Sequence, residues 1–127
     1  MKLVIKIGGR WKNDRKVEKL FRLYAERAEE IMLKLSKELR FRLPKQIILR
    51  PFYFKGGISM FNGRLLYDPC KGYSIALSVP HCIKMKDKGI WVLDHECSHV
   101  AAAIKHKDWG HGENFKRIYA ACRKKIK

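Results

Sequence analysis

Two histidines at positions 95 and 99 constrain this chain more than any other feature of its sequence. In a helix, side chains four residues apart lie on the same face, so both imidazoles can bind one metal ion while Glu96 projects beside it. The surrounding segment 90–104 has apolar residues at helical spacing, which predicts the required helix. A fold that uses this motif must therefore hold one helix face open to a metal-sized site.

The apolar residues of this predicted helix form a stripe that is separate from the histidines. The stripe contains Ile90, Leu93, Cys97, Val100 or Ala101, and Ile104, whereas the other sides carry Trp91, His95, His99, and Ala102 or Ala103. Histidines that only filled the core would lie within the stripe. Their separation from it favours a role as ligands.

A hydrolytic zinc site takes three protein ligands, so a third must come from elsewhere in the chain. The candidates are His106, His111 and Glu113. The alanines 101–103 continue the helix, which leaves His106 about 10 Å along the axis from His99. His111 follows Gly110, where the chain can turn back over the site, and we prefer it. Glu113 has another explanation, because acidic residues suit the first turn of a helix.

The rest of the sequence predicts an α+β domain spanning residues 1–127. Strands are predicted at 2–7, at 46–50 with an extension through Phe54, and at 73–79, with a hairpin of 58–61 and 64–67 around Asn62-Gly63. A long amphipathic helix begins at Asn13 or Asp14 and runs to about Arg42, Asp87 caps the motif helix, and a C-terminal helix spans 112–127. We expect a small, mostly antiparallel sheet.

Lysine and arginine number 29 against 12 aspartates and glutamates, a net charge of +17. A field of this size attracts polyanions, and nucleic acid is the natural partner. The alternative is that the charges, which are spread along the chain, only keep the protein soluble. No apolar run approaches the length of a membrane span, and the N-terminal segment is too short for a signal peptide, so no membrane partner and an intracellular location are expected. The four cysteines are expected to be thiols.

Several polar and aromatic residues near the motif have two interpretations. Trp91 and Trp109 are predicted to fill the core, with stacking on an unpaired base as the alternative. Asp94 and Asp108 are candidates for orienting a ligand imidazole, as metal-bound histidines usually require. The candidates for polarising a substrate carbonyl are Tyr53, Tyr67 and Tyr73.

The segment His95-Glu96-x-x-His99, followed by His111-Gly112-x-x-Phe115-Lys116, resembles the SprT-like (Spartan-type) zinc metallopeptidase family, and the order of elements is similar too. The resemblance implies a minigluzincin-like fold with an HExxH active helix. It implies that His95, His99 and His111 bind Zn²⁺ and that Glu96 is the catalytic acid and base. Members of this family are DNA-associated proteases that degrade proteins crosslinked to DNA.

The leading hypothesis is therefore a zinc-dependent endopeptidase that acts on DNA-bound or DNA-crosslinked proteins, as a monomer, in the cytoplasm, nucleoid or nucleus. One alternative is a basic nucleic-acid-binding module with a structural or vestigial zinc site. Glu96 argues against it, because a structural site more often closes with a fourth protein ligand. The other alternative is a regulatory peptidase with one dedicated protein substrate.

Overall fold

The computed structural model, which describes residues 1–53 and 63–125, has one four-stranded sheet with helices packed against it. The strands are β1 (Lys2–Ile5), β2 (Gln46–Phe52), β3 (Gly63–Asp68) and β4 (Gly72–Ser78). The helices are α1 (Arg15–Leu39), α2 (Val79–Cys82), α3 (Ile90–His106) and α4 (Glu113–Lys125), with a short 3₁₀ turn at Gly9–Trp11. The α+β class predicted from the sequence is confirmed. None of the described helices is long and apolar enough to cross a bilayer.

The sheet has the strand order β1-β2-β4-β3 and is mixed. β1 pairs with β2 and β2 with β4 in parallel, and β3 pairs with β4 antiparallel. The prediction of a mostly antiparallel sheet is therefore wrong. α1 carries the chain back to the starting end of the sheet before β2, which makes those two strands parallel. The hairpin in the described residues joins β3 to β4. In the predicted extension of the second strand, Phe52 is the last residue of β2 and Tyr53 follows the strand. Phe54, the predicted strand 58–61 and Asn62 lie outside the described residues.

α1 forms because its apolar residues recur at helical spacing and its first turn is capped. The Asp14 carboxylate accepts hydrogen bonds from the backbone N–H groups of Lys16 and Val17 at 3.0 and 3.2 Å. The helix ends at Leu39, slightly before the predicted end near Arg42, because Arg40 adopts a left-handed conformation with φ 54°. Its buried face comprises Val17, Leu20, Phe21, Tyr24, Ala28, Ile31, Met32 and Leu35.

The core lies between this face of α1, helix α3 and one face of the sheet. Alternate residues of the two central strands supply the sheet side, namely Ile47 and Leu49 of β2 and Ile75 and Leu77 of β4, all fully buried. α4 packs on α3 and contributes Ile118 and Cys122 to the same cluster. α3 is thus enclosed between two helices and the sheet.

This central location corrects the predicted separation of the α3 faces. Leu93 and Cys97 are buried as expected, but His99 is only 7% exposed and Ala102 is fully buried. A helix packed on several sides has little surface left for a polar face.

At the start of α3, Gly89 with φ 83° occupies the cap position, and the Asp87 carboxylate accepts hydrogen bonds from the N–H groups of Gly89 and Trp91. Asp87 therefore does stabilise the beginning of this helix.

Candidate metal centre

The Nε2 atoms of three histidines converge on one point beside α3. They are separated by 3.2 Å between His95 and His99, 3.0 Å between His99 and His111, and 3.2 Å between His95 and His111. A neutral imidazole has one N–H group, and its other nitrogen only accepts, so three ring nitrogens cannot satisfy one another in a closed triangle. A cation between them would satisfy all three lone pairs.

The spacing fits a tetrahedral metal ion. Nitrogen ligands about 2.0–2.1 Å from zinc at tetrahedral angles lie about 3.3 Å apart, close to the observed separations. Desolvation by burial, together with the neighbouring His95 and His111, lowers the pKa of His99 to about 4. The pKa of His95 is also lowered, first by burial and then by His111. Both rings are therefore neutral near pH 7, which is the form that binds metal.

Aromatic rings from α4 hold the imidazoles in place. Phe115 stacks on His99 with ring centroids 4.2 Å apart and an interplanar angle of 22°, and it meets His95 edge-on at 4.8 Å. Tyr119 continues the stack beneath Phe115 at 5.7 Å and lies 5.8 Å from the His95 ring. The sequence predicted both residues only as the inner face of the C-terminal helix. Phe115 and Tyr119 are four residues apart, as His95 and His99 are, and this shared spacing is the sequence signal that two rings of one helix can face two rings of the other.

The loop that carries His111 is shaped by Asp108. Its carboxylate accepts the N–H of Gly110 at 2.9 Å and the side-chain amide of Asn114 at 3.2 Å, and the Gly110 bond is the main reason that its pKa is lowered. Lys107, with φ 54°, ends α3 just before this loop. The hydrogen bonds of Asp108 therefore order the turn. Its charge also acts on the His99 ring, where it opposes the lowering of the pKa, and a direct role in orienting an imidazole stays a prediction.

Glu96 lies beside the histidines and is 6% exposed. Burial raises the pKa of its carboxyl group to about 7. A carboxyl group with such a pKa can both accept and return a proton near neutral pH. β3 approaches closely here, since a Cβ atom at Gly63 would lie 2.6 Å from Val92 Cγ1 and 3.2 Å from Glu96 Cγ. Glycine at position 63 thus permits the edge of the sheet to approach the carboxylate.

An open cleft of about 340 Å³ connects these groups to solvent. It is lined by Gly63, Arg64 and Leu65 of β3, by Glu96, by the three histidines and by Trp109. Within the described residues, β3 is the edge strand of the sheet. The cleft therefore has a strand edge on one side and the histidine cluster on the other.

Asp94, the other predicted imidazole partner, is part of a separate cluster. It is fully buried and accepts hydrogen bonds from Arg27 Nε and Nη2 at 3.1 and 2.9 Å and from Arg123 Nη1 at 2.6 Å. These bonds connect α3 to both α1 and α4. Asp94 thus pairs with guanidinium groups, which the sequence analysis missed because Arg27 and Arg123 are far from it in the chain.

The remaining candidates do not join the converging nitrogens, although Trp109 lines the cleft beside them. His106 is exposed at the end of α3, and the exposed Glu113 pairs with Arg117 at 3.5 Å. Trp91 and Trp109 are 40% and 49% exposed, so the prediction that they fill the core is wrong. Of the three tyrosines, Tyr67 and Tyr73 contact Trp109, while Tyr53 lies under the Arg10 guanidinium at 3.9 Å.

No protein-family model, curated protein or solved structure matches this chain. Its chemistry is therefore argued from the geometry of the site and from the motif that the sequence displays.

Proposed function

We propose that this chain is a zinc-dependent endopeptidase of the SprT-like type, with a minigluzincin-like fold, that acts on DNA-bound or DNA-crosslinked proteins. One observation carries the proposal, namely the convergence of three imidazole Nε2 atoms next to a buried carboxyl group of raised pKa. Nitrogen ligands from three protein residues, with space for a fourth ligand in the cleft, are typical of catalytic zinc sites.

His95, His99 and His111 would hold the ion through their Nε2 atoms. When bound, Zn²⁺ supplies Lewis acidity, which polarises a carbonyl group and acidifies water. The stacking of Phe115 on His99 keeps that ring oriented toward its two neighbours. The loop ordered by Asp108 keeps His111, which is the exposed member of the group, over the ends of the other two.

Glu96 is the group that moves the proton. Its carboxylate takes a proton from the water that attacks the peptide carbonyl and returns it to the departing amine. Burial makes this carboxyl group a stronger base than an exposed glutamate, and the buried location keeps it beside the cleft. Gly63 allows the substrate-facing strand to pass within contact distance of it.

The edge of β3 supplies a way to position an extended peptide. An exposed strand edge offers backbone N–H and C=O groups to a peptide that adds as another strand. Because these bonds are made by the backbone, recognition of this kind tolerates many substrate sequences. Such tolerance suits an enzyme that removes varied proteins from DNA. The net charge of +17 favours DNA as the surface on which those proteins are met.

The test combines metal analysis with proteolysis of a DNA-binding protein in the presence and absence of DNA. We expect one zinc ion per chain, cleavage that DNA accelerates, and loss of cleavage on chelation. Glu96→Gln should keep the zinc ion and lose cleavage by about 10²–10⁴-fold, because it removes the general base without removing a ligand.

Glu113→Gln is the matched control, since it makes the same chemical change at an exposed carboxylate in the first turn of α4. It should cleave like the wild type. Zinc-loaded wild type that cleaves nothing would favour the nucleic-acid-binding module, and cleavage without any DNA binding at low salt would favour the peptidase with one dedicated substrate.

A further inference from the structure

Most of the uncompensated positive charge lies in the chain segments that supply the sheet and its connections. Residues 1–13 and 40–86, which supply the four described strands, contain 13 lysines and arginines but one acidic residue, Asp68. The rest of the chain contains 16 basic and 11 acidic residues. Five of those 11 acidic residues are glutamates of α1, two of which form i,i+4 pairs with Arg22 and Lys34. The segments that supply the sheet thus have the larger net positive charge.

The strand register brings three of these cations into one row across the sheet. Arg50 of β2 lies opposite Ala76 of β4, which lies opposite Arg64 of β3. Lys6 follows β1, and its N–H bonds to the carbonyl of Leu49, which places it next to Arg50. All three cationic residues are exposed. Ala76, between the two arginines, is buried.

A second, apolar row runs beside this cationic row. Val4, Ile48, Ser74 and Leu66 are cross-strand neighbours from β1 to β3. Neither row belongs to the face that contacts α1 and α3, since the core is built from the alternate residues of the same strands. In this row Leu66 is 41% exposed, Ile48 is 5% exposed, and Ser74 is polar. A trough of about 350 Å³ is lined by Lys6 and Arg50 of the first row, by Ile48, Ser74 and Leu66 of the second, and by Asp68, but not by Arg64.

The acidic residue near this face is already engaged. The Asp68 carboxylate accepts the backbone N–H groups of Cys70 and Lys71 at 2.7 and 3.3 Å in the turn between β3 and β4. It therefore stabilises the turn and does not pair with the cationic row. Lys71 in the same turn also lines the trough.

We infer that this outer face of the sheet binds single-stranded nucleic acid, with its phosphates on Lys6, Arg50 and Arg64 and its bases over the adjacent apolar row. Strands spaced about 4.8 Å apart give the cationic row a length of about 14 Å, enough for successive phosphates of one strand. A duplex would present only phosphates, whereas an unpaired strand also matches the apolar row. Recognition would be tolerant of sequence, as with other single-strand-binding surfaces.

This inference rests on the proposed action on DNA-bound proteins and gives it a geometry. The cationic row ends at Arg64 of β3, which together with its neighbour Gly63 also lines the histidine cleft. A nucleic acid bound along the row would therefore reach the rim of the cleft at the β3 edge. A protein attached to that strand could reach around the β3 edge to the histidine site.

The experiment measures binding of a labelled 20-nucleotide single strand and its duplex by fluorescence anisotropy, with the full chain carrying Glu96→Gln to prevent proteolysis. Lys6→Ala/Arg50→Ala should weaken single-strand binding roughly 10- to 30-fold at 0.1 M salt and reduce the salt slope by about 1.4. Leu66→Ser should weaken single-strand binding without changing that slope, because it removes a base contact and no charge.

Lys19→Ala/Lys37→Ala is the matched control, since it removes two exposed cations from α1. Equal weakening in the control would overturn the inference in favour of diffuse attraction. Tighter binding of the duplex, or equal competition by polyglutamate, would also overturn it. Thermal melts of each variant verify folding. Binding that depends on this surface, together with absence of proteolysis in the wild type, would contradict the proposed enzyme and support the surface. Proteolysis without binding that depends on this surface would support the enzyme and contradict the surface.

Discussion

Asp94 and His95 are adjacent in the sequence and belong to two polar clusters of opposite character. Asp94 is fully buried, and its carboxylate accepts three hydrogen bonds from two guanidinium groups. His95 lies with His99 and His111 in a cluster where acceptor nitrogens face one another at 3.0–3.2 Å. One cluster is complete within the chain, and the other needs something from outside it.

This difference separates a structural cluster from a ligand site. A buried charge with matched partners belongs to the fold, and breaking it leaves an uncompensated charge inside. Converging acceptors without a donor are unfavourable until a cation arrives. Removing a member of the first cluster should therefore cost stability, while removing a member of the second should cost metal affinity. The predictions below test that contrast.

The largest effect on stability is expected from Asp94→Asn. It leaves the guanidiniums of Arg27 and Arg123, whose side chains are 18% and 44% exposed, facing a neutral amide. This should lower the free energy of unfolding by about 3 kcal/mol, the lower end of the range for a broken buried ion pair. Urea denaturation of the metal-free protein measures this. Glu29→Gln, the same change at an exposed position on α1, should stay within about 0.5 kcal/mol. Equal stability of the two variants would contradict the structural role of Asp94.

His111→Ala should have the opposite profile. The free energy of unfolding of the metal-free protein should be unchanged or slightly higher, because His111 is exposed and its removal relieves the crowded acceptors. Loss of a residue that only hydrogen-bonds to a metal ligand typically lowers metal affinity roughly 10–100-fold. Because His111→Ala removes a ligand itself, its zinc affinity should fall by more than that. Competition with a chromophoric chelator measures the affinity. His106→Ala is the matched control and should bind zinc like the wild type; any comparable loss there would place the third ligand elsewhere.

Gly63→Ala tests the close approach of β3 to the site. The added methyl group would meet Val92 Cγ1 at 2.6 Å, so either the strand or the helix must shift. We expect a loss of about 1–3 kcal/mol in the free energy of unfolding, together with slower peptide cleavage. Val92→Ala in the same chain removes the obstructing atom and should restore part of both. Additive losses in the double variant would show that the contact is not the cause.

The smallest effect is expected from Asp108→Ala, which frees the turn that carries His111 from its bonds to Gly110 and Asn114. Because the loop must then be ordered when metal binds, zinc affinity should fall about tenfold, within the range known for outer partners of ligands. Isothermal titration measures it. Stability without metal should hardly change. A large loss in the free energy of unfolding with unchanged zinc affinity would show that Asp108 supports the fold, as Asp94 does, and does not support the histidine cluster.

Much of the fold could be predicted because its signals are local. Helical periodicity and the Asp14 cap identify α1, and short apolar segments bounded by glycine or proline identify the strands. The direction of strand pairing is not local, since it depends on where a 25-residue helix returns the chain. The sequence for that reason predicts a mostly antiparallel sheet, whereas two of the three pairings among the described strands are parallel.

The site divides in the same way. The spacing of His95, Glu96 and His99 follows from helix geometry, and the alanines after His99 correctly argue that the helix continues to His106. Burial was harder to predict. The sequence pattern left His99 on an open face, but α4 covers it, and the exposed tryptophans were expected inside. Coverage depends on neighbouring elements that a one-dimensional pattern does not contain.

The sequence by itself determined the helix that presents two imidazoles and a carboxylate, because these residues are placed by a repeat of about 3.6 residues per turn. Only the tertiary structure decided which distant groups complete the arrangement. In the folded chain His111 lies beside the other two ring nitrogens, Asp94 accepts hydrogen bonds from Arg27 and Arg123, and cationic residues of separate strands lie in one row. These contacts depend on loop closure and strand register, which link positions that no local spacing relates.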